Sequence, residues 1–202
     1  MITQTFGMPL DTFPILHSER LDLVEIKQKH RPDLFKLLSD EMVVKYYNLK
    51  SPGCEEDTQK YIDWFNERYI NSLGIRWGLA LKGTPNIIGT IGFSNFNNLQ
   101  HAHIVYDLMT VHWNNGYITE ALRKIIGYGF SVLHINAVKA EVMQGNIASE
   151  KVLEKLHFEN KGVLNSWMYV EELNCDISTF SLSKNDYLSK LQQPLEVFEF
   201  AF

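Results

Sequence analysis

The stretch His112-Trp113-Asn114-Asn115-Gly116-Tyr117-Ile118-Thr119-Glu120-Ala121, continuing LRKIIGYGF to Phe130, decides how the rest of the chain is read. Ala121, Leu122, Ile125, Ile126, Gly129, Phe130 and Leu133 recur at helical spacing, so a polar turn feeds a long amphipathic helix. Before the turn, HAHIVYDLMT (residues 101–110) alternates as a strand. Ala102, Ile104, Tyr106 and Leu108 lie on one face, and His101, His103, Val105, Asp107 and Met109 on the other. A turn from strand to helix leaves the first helical N–H groups without internal acceptors, at the positive end of the helix dipole. Such an end holds a phosphate without Lys or Arg. Phosphate-cradling turns usually carry several glycines, whereas this one has only Gly116. Two readings therefore stand, a plain capped turn and a phosphate-binding one.

Outward from this unit the chain is a succession of short elements. RLDLVEI (residues 20–26) places Leu21, Leu23 and Ile26 as a first strand, after an arm over residues 1–14 with Pro9 and Pro14. Leu34, Leu37 and Leu38 follow Pro32 at helical spacing within residues 31–47. Residues 55–74 form a second amphipathic helix with Tyr61, Trp64, Phe65, Arg68 and Tyr69 on one face, stopped by Gly74. Two β-like runs, residues 75–81 and 86–96, flank a tight hairpin marked by Gly83 and Pro85. Beyond the central helix come a strand at 136–143 and a short helix at 146–158, capped by Asn146, with Ala148, Val152, Leu153 and Leu156 as its apolar stripe. Strands at 162–170 and 176–183 close the pattern. The order β-α-α-β-β-β-α-β-α-β-β predicts an α+β (mixed α/β) fold with a largely antiparallel sheet and parallel pairing at strand–helix–strand units. No repeat or linker divides it, so residues 1–202 read as a single domain, with an apolar tail over 188–202.

Composition narrows the function classes. A 45% hydrophobic, 21% charged chain with net charge −5 is ordinary for a globular protein and argues against a broad nucleic-acid surface. No apolar run approaches the roughly 20 residues of a membrane span. Cys54 and Cys175 suggest reduced thiols and a cytoplasmic setting, not a metal cluster or disulfide framework.

Taken together, FPILHSERLDL, LFKLLSDEMVVKYY, IIGTIGF, AHIVYDL, HWNNGYITEAL, YGF, NIASEKVLEKLHF and FSLSKNDY resemble, in order and spacing, the GNAT superfamily of acyl-CoA N-acyltransferases, in the branch of ribosomal-protein N-terminal acetyltransferases. The resemblance covers residues 13–187. It implies a mostly antiparallel sheet whose fourth and fifth strands splay apart, with helices on both faces and acetyl-CoA in the cleft. The family's diphosphate turn maps onto Asn114, Asn115, Gly116, Tyr117, Ile118 and Thr119. Asn114 stands where a glycine is usual, and Asn tolerates left-handed backbone. Ile118 stands where a small residue is usual; it would crowd the diphosphate unless turned into the core. The resemblance also implies that the backbone of Leu108, Met109 and Thr110 holds pantetheine and thioester, with Asn146 and Ser149 beside the cofactor. For those two, capping alone and capping plus contact are both open. The family's LGF becomes Leu156-His157-Phe158, putting His at a left-handed helix stop.

Acyl transfer needs an amine deprotonated, a carbonyl oxygen stabilised and a thiolate expelled. His103 stands where the branch often has a glutamate that assists deprotonation. It reads either as a base titrating near neutrality or as an ordinary polar strand residue. Leu153 occupies the position of a tyrosine that sometimes serves as the acid. His101 and His103 share a face but lack a third ligand, so no metal is expected. Tyr46, Tyr47, Trp64, Tyr69 and Trp77 read as core or as acceptor-pocket lining. The resulting expectation is an N-acetyltransferase acting by direct transfer on a primary amine, either a protein N-terminus or a small molecule, with a homodimer plausible. The alternative is a non-catalytic CoA-sensing or assembly module.

Overall fold

The structure, a computed structural model, describes residues 12–47, 51–97, 100–170 and 173–191. Its strands are β1 (Leu16–His17), β2 (Leu21–Glu25), β3 (Gly74–Leu81), β4 (Ile87–Asn97), β5 (His101–Leu108), β6 (Ala137–Met143), β7 (Glu159–Val170) and β8 (Leu173–Ser183). The helices are α1 (Arg31–Leu38), α2 (Glu41–Val44), α3 (Gln59–Ile70), α4 (Tyr117–Ser131), α5 (Ile147–Lys155) and α6 (Lys184–Leu191). The strands form one sheet in the order β1-β2-β3-β4-β5-β6-β8-β7. Among the described residues every pairing is antiparallel except β5 with β6. The fold is thus the expected α+β arrangement.

Alternation along the strands buries both faces. Leu108 and Ile88 join the larger core under α4 and α5, with Leu23, Trp77, Ile91, Phe93, Ile125 and Phe130. Their neighbours Met109 and Ile87 belong to a second cluster with Leu34 and Leu37 of α1, Val43 of α2 and Ile62 of α3. Helices therefore cover both faces, as the resemblance implied. Where β4 meets β5 the backbones approach closely: a Cβ on Gly89 would collide with the Asp107 carbonyl and the Leu108 Cα, so the bare backbone lets these strands run together to Leu108.

The parallel partner behaves differently. Only His101–Ala137, Ala102–Val138 and His103–Lys139 pair β5 with β6, and the ladder then stops. From Ile104 onward β5 keeps β4 and loses β6. This divergence is the splay expected between the fourth and fifth core strands.

Several sequence expectations change. The helix expected across residues 31–47 is broken, because the Asp40 carboxylate caps Met42 N–H at 2.9 Å and accepts the Thr110 hydroxyl at 2.8 Å. In α3 the fully buried residue is Ile62, while Trp64 is half exposed with Arg68 stacked on it. Ala148 is exposed; Leu153 and the partly buried Val152, with Leu156 at the C-cap, carry the α5 contact. Of the five aromatics considered together, Trp77 is core. Neither β1 nor α6 is predicted by periodicity. The apolar tail from Pro194 and residues 1–11 of the arm lie outside the described residues.

His30 locks the β2–α1 connection, accepting the Lys27 N–H on Nδ1 at 3.0 Å while 2% exposed. Burial, helped by Lys29, lowers its pKa against the opposing pull of Asp33 and the Pro85 carbonyl. The unfolded chain then binds this proton more readily than the native one. The His30 contribution is present above about pH 6.5 and is lost as pH falls through the depressed native value. Urea melts from neutral to acid pH should show a shallower stability loss in His30→Asn, whose Oδ1 can replace the ring acceptor, than in the parent chain. An equal slope would exclude His30 as a source of acid lability.

Candidate functional site

The open end of the β5–β6 ladder leads directly into the turn before α4. The turn is braced from within. Trp113 donates its indole N–H to the Leu108 carbonyl at 2.7 Å, and the Asn115 side-chain amide donates to the His112 and Trp113 carbonyls at 3.2 and 2.9 Å. Asn114 (φ 60°) and Gly116 (φ 76°) are both left-handed, so Asn114 does take the backbone a glycine would. Gly116 occupies the N-cap, and no side chain caps α4. The N–H groups of Tyr117, Ile118 and Thr119 are thus left for an outside acceptor. Ile118 is half-buried and packs against the main core, so its bulk turns inward and leaves the mouth clear.

The three strand-end residues are not equivalent. Met109 spends its N–H on the Ile88 carbonyl at 2.9 Å and buries its side chain in the second core. Strand alternation then directs the N–H of Leu108 away from β4, toward the cleft. The Thr110 hydroxyl holds Asp40, fastening α2 beside the cleft. Across the opening, Asn146 accepts the Ser149 N–H at 3.2 Å as an N-cap, and the Ser149 carbonyl accepts the Tyr106 hydroxyl at 3.5 Å. Tyr106 spans the splay, and burial lifts its pKa to about 12 against the lowering effect of its Ser149 contact. His157 adopts φ 63° at the α5 stop, the geometry expected for it.

His103 lies on the opposite sheet face, its side chain 21% exposed, with Nδ1 3.5 Å from Glu141 of β6. Burial lowers its pKa, Glu141 pulls it up and Lys139 pushes it down again, so the ring is neutral at neutral pH. Its nearest ring neighbour is His101, at 6.2 Å between centroids.

Two features escaped the sequence reading. The first is a buried polar cluster at the end of β5. The Asp107 carboxylate accepts the Thr90 N–H (2.7 Å), the Thr90 hydroxyl (2.8 Å), the Tyr47 hydroxyl (2.6 Å) and Arg76 Nη2. Arg76 also donates through Nε to the Thr90 hydroxyl at 2.7 Å. Alternation put Asp107 on the right face, but nothing local pointed to Arg76, and Tyr47 figured only within an aromatic set. The second is Arg20, which reaches the α4 turn from the β1–β2 connection and donates through Nη1 to the Asn115 carbonyl at 3.0 Å.

The family model described as an acetyltransferase (GNAT) domain matches residues 20–159. The chain belongs to the GNAT acetyltransferase family. It is 35% identical over 173 residues to the uncharacterised N-acetyltransferase YoaA of Bacillus subtilis (strain 168), covering 85% of this chain and 98% of YoaA. It is 32% identical over 173 residues to the uncharacterised N-acetyltransferase p20 of Bacillus licheniformis, covering 85% and 97%. The fold matches that of RimL, a ribosomal L7/L12 alpha-N-protein acetyltransferase solved with coenzyme A, with TM-score 0.77, 17% identity and coverage of 86% and 99%.

GNAT acetyltransferases use acetyl-CoA as the donor. The residues present in this acetyltransferase fit that donor: an uncapped helix end with three spare amides suits a diphosphate, and an unpaired strand edge suits an amide-bearing arm. No helix among the described residues is long and apolar enough to cross a membrane.

Proposed function

We propose that this acetyltransferase moves the acetyl group of acetyl-CoA directly onto a primary amine, a protein N-terminus or a small molecule, within a ternary complex. The observation that carries the reading is the early end of the β5–β6 ladder beside an uncapped helix N-terminus. The backbone of Asn114, Asn115 and Gly116 shapes the turn, and the amides of Tyr117, Ile118 and Thr119 take the diphosphate. The free edge of β5 from Tyr106 to Leu108 holds the pantetheine arm, with Leu108 N–H as the donor toward the thioester oxygen. Asn146 and Ser149 form the facing wall, and Thr110 fixes the acceptor-side segment.

His103 takes the proton from the attacking amine through intervening water, since it precedes Leu108 on β5 by about 16 Å at roughly 3.3 Å per residue. The C–N bond forms, the C–S bond breaks, the departing thiolate takes a proton from solvent to leave as coenzyme A, and the proton held by His103 passes to solvent. A neutral imidazole is the form this step needs, and burial keeps His103 in that form. Two copies pairing in solution is part of the same reading. RimL acts on a ribosomal protein's α-amine, which makes ribosomal-protein N-terminal peptides the first acceptors to try, beside aminoglycoside-type and polyamine substrates.

Thiol release from acetyl-CoA across that panel tests the proposal. Tight acetyl-CoA binding without release for any amine would replace it with the CoA-sensing module. On the accepted amine, His103→Gln is expected to lower kcat about 100-fold with little change in acetyl-CoA KM. The parent enzyme should hold activity below the ordinary histidine range and lose it as pH falls through the depressed His103 value. The variant should lack that acid limb. A full rate in His103→Gln would remove His103 from the chemistry.

A further inference from the structure

The first turn of α4 contains an acid. Glu120 follows Gly116 by one helical turn, and a bare carboxylate there would repel any phosphate brought to the neighbouring amides. Its charge is instead matched. Oε1 accepts the Ser18 hydroxyl and the Arg20 backbone N–H, each at 2.7 Å, while Oε2 accepts Arg20 Nε at 2.7 Å. Burial alone would raise the Glu120 pKa, but these donors outweigh it and hold the carboxylate low, so it stays ionised.

Arg20 does more than neutralise. Its Nη1 holds the Asn115 carbonyl at 3.0 Å, and its guanidinium lies 4.7 Å above the Tyr117 ring centroid. Its Nη2 stands 3.6 Å from where a Cβ on Gly116 would sit. One side chain, about a hundred residues away in sequence, therefore touches the turn on both sides of Gly116 and cancels the acid behind it. With its arginine half exposed to screening water, the pair contributes little to stability, so its consequence lies in the field and shape of the mouth.

We infer that Arg20 is a positioning residue for the phosphate-binding turn, pinning the Asn115 carbonyl and screening Glu120 so that the amides of Tyr117, Ile118 and Thr119 face the diphosphate in a favourable field. This rests on the turn's being the diphosphate site, as proposed above.

The two halves of the pair then have opposite effects on the cofactor. In calorimetric titrations of the full chain with coenzyme A, Arg20→Gln exposes the Glu120 charge and is expected to raise Kd about tenfold. Glu120→Gln breaks the same ion pair but leaves the positive charge of Arg20 unopposed beside the diphosphate, and is expected to lower Kd about two- to threefold. The double variant, with neither charge, should return to within about threefold of the parent. The Arg20→Gln loss should shrink as salt is raised and should fall on acetyl-CoA KM, not kcat. Should Arg20→Gln not fold, Arg20→Lys reads the same loss in smaller measure, since an ammonium cannot fork between Glu120 and Asn115.

A strut with no electrostatic part would weaken binding alike in both single variants, and that result overturns the inference. So does parent-like affinity in Arg20→Gln while Gly116→Val weakens binding. If Gly116→Val itself leaves affinity untouched, the diphosphate site lies elsewhere and the underlying reading fails instead.

Discussion

Gly116→Val is expected to raise the coenzyme A dissociation constant at least about 30-fold, with the fold retained. Gly116 sits at φ 76°, and a β-branched residue held there costs about 1–3 kcal/mol. The substituted chain relieves that strain by rotating the turn toward right-handed backbone, which turns the amides of Tyr117 and Ile118 off their common target. Crowding is a lesser cause, since a Cβ at this position meets only the end of the flexible Arg20 side chain at ordinary contact distance. Melting temperature should fall by about 2–12 °C, in line with the strain and a chain of this size. Gly116→Asn serves as the control: asparagine accepts left-handed backbone, as Asn114 does two residues earlier, and should stay within about threefold of the parent affinity. Isothermal titration with coenzyme A reads both variants. Parent-like affinity in Gly116→Val would exclude this turn as the diphosphate site.

Asp107→Ala should have the largest effect on stability. The Asp107 and Arg76 side chains are 2% and 10% exposed, so removing the carboxylate strands a guanidinium in the sheet and unpairs Thr90 and Tyr47. Breaking a buried pair from one side costs about 3–5 kcal/mol. For a chain of this length that predicts a drop of about 6–20 °C in melting temperature. Removing both charges, with Arg76→Met and Asp107→Leu together, should recover much of the loss, because the penalty comes from the orphaned charge more than from the absent attraction. The cluster also explains how β5 stays in place where β6 leaves it. Asp107 is held to β3 by Arg76 and to β4 by Thr90, while Tyr47 carries the end of the acceptor-side segment to the same carboxylate. A drop of less than about 2 °C in Asp107→Ala would show that the cluster does not anchor the strand.

What the sequence determined by itself is whatever neighbouring residues decide. Helical spacing from Ala121 to Leu133 places α4, and alternation from His101 to Met109 sorts β5 into two faces, because side-chain direction repeats over a few residues. The left-handed backbone of Asn114 and His157 was legible for a similar reason, since it depends on the residue's own sterics. Tertiary structure decided what needs a distant partner. Whether Ile118 blocks or clears the mouth depends on the core behind it. The stop between α1 and α2 needs Thr110 to hold Asp40, and the exposure of Trp64 depends on what α3 packs against. Arg20 at Asn115 and Arg76 at Asp107 meet across 95 and 31 residues, a separation no periodic window spans. Backbone preference is a local property of each residue, whereas the partner of a charge is set by which strands and turns the packed sheet brings together.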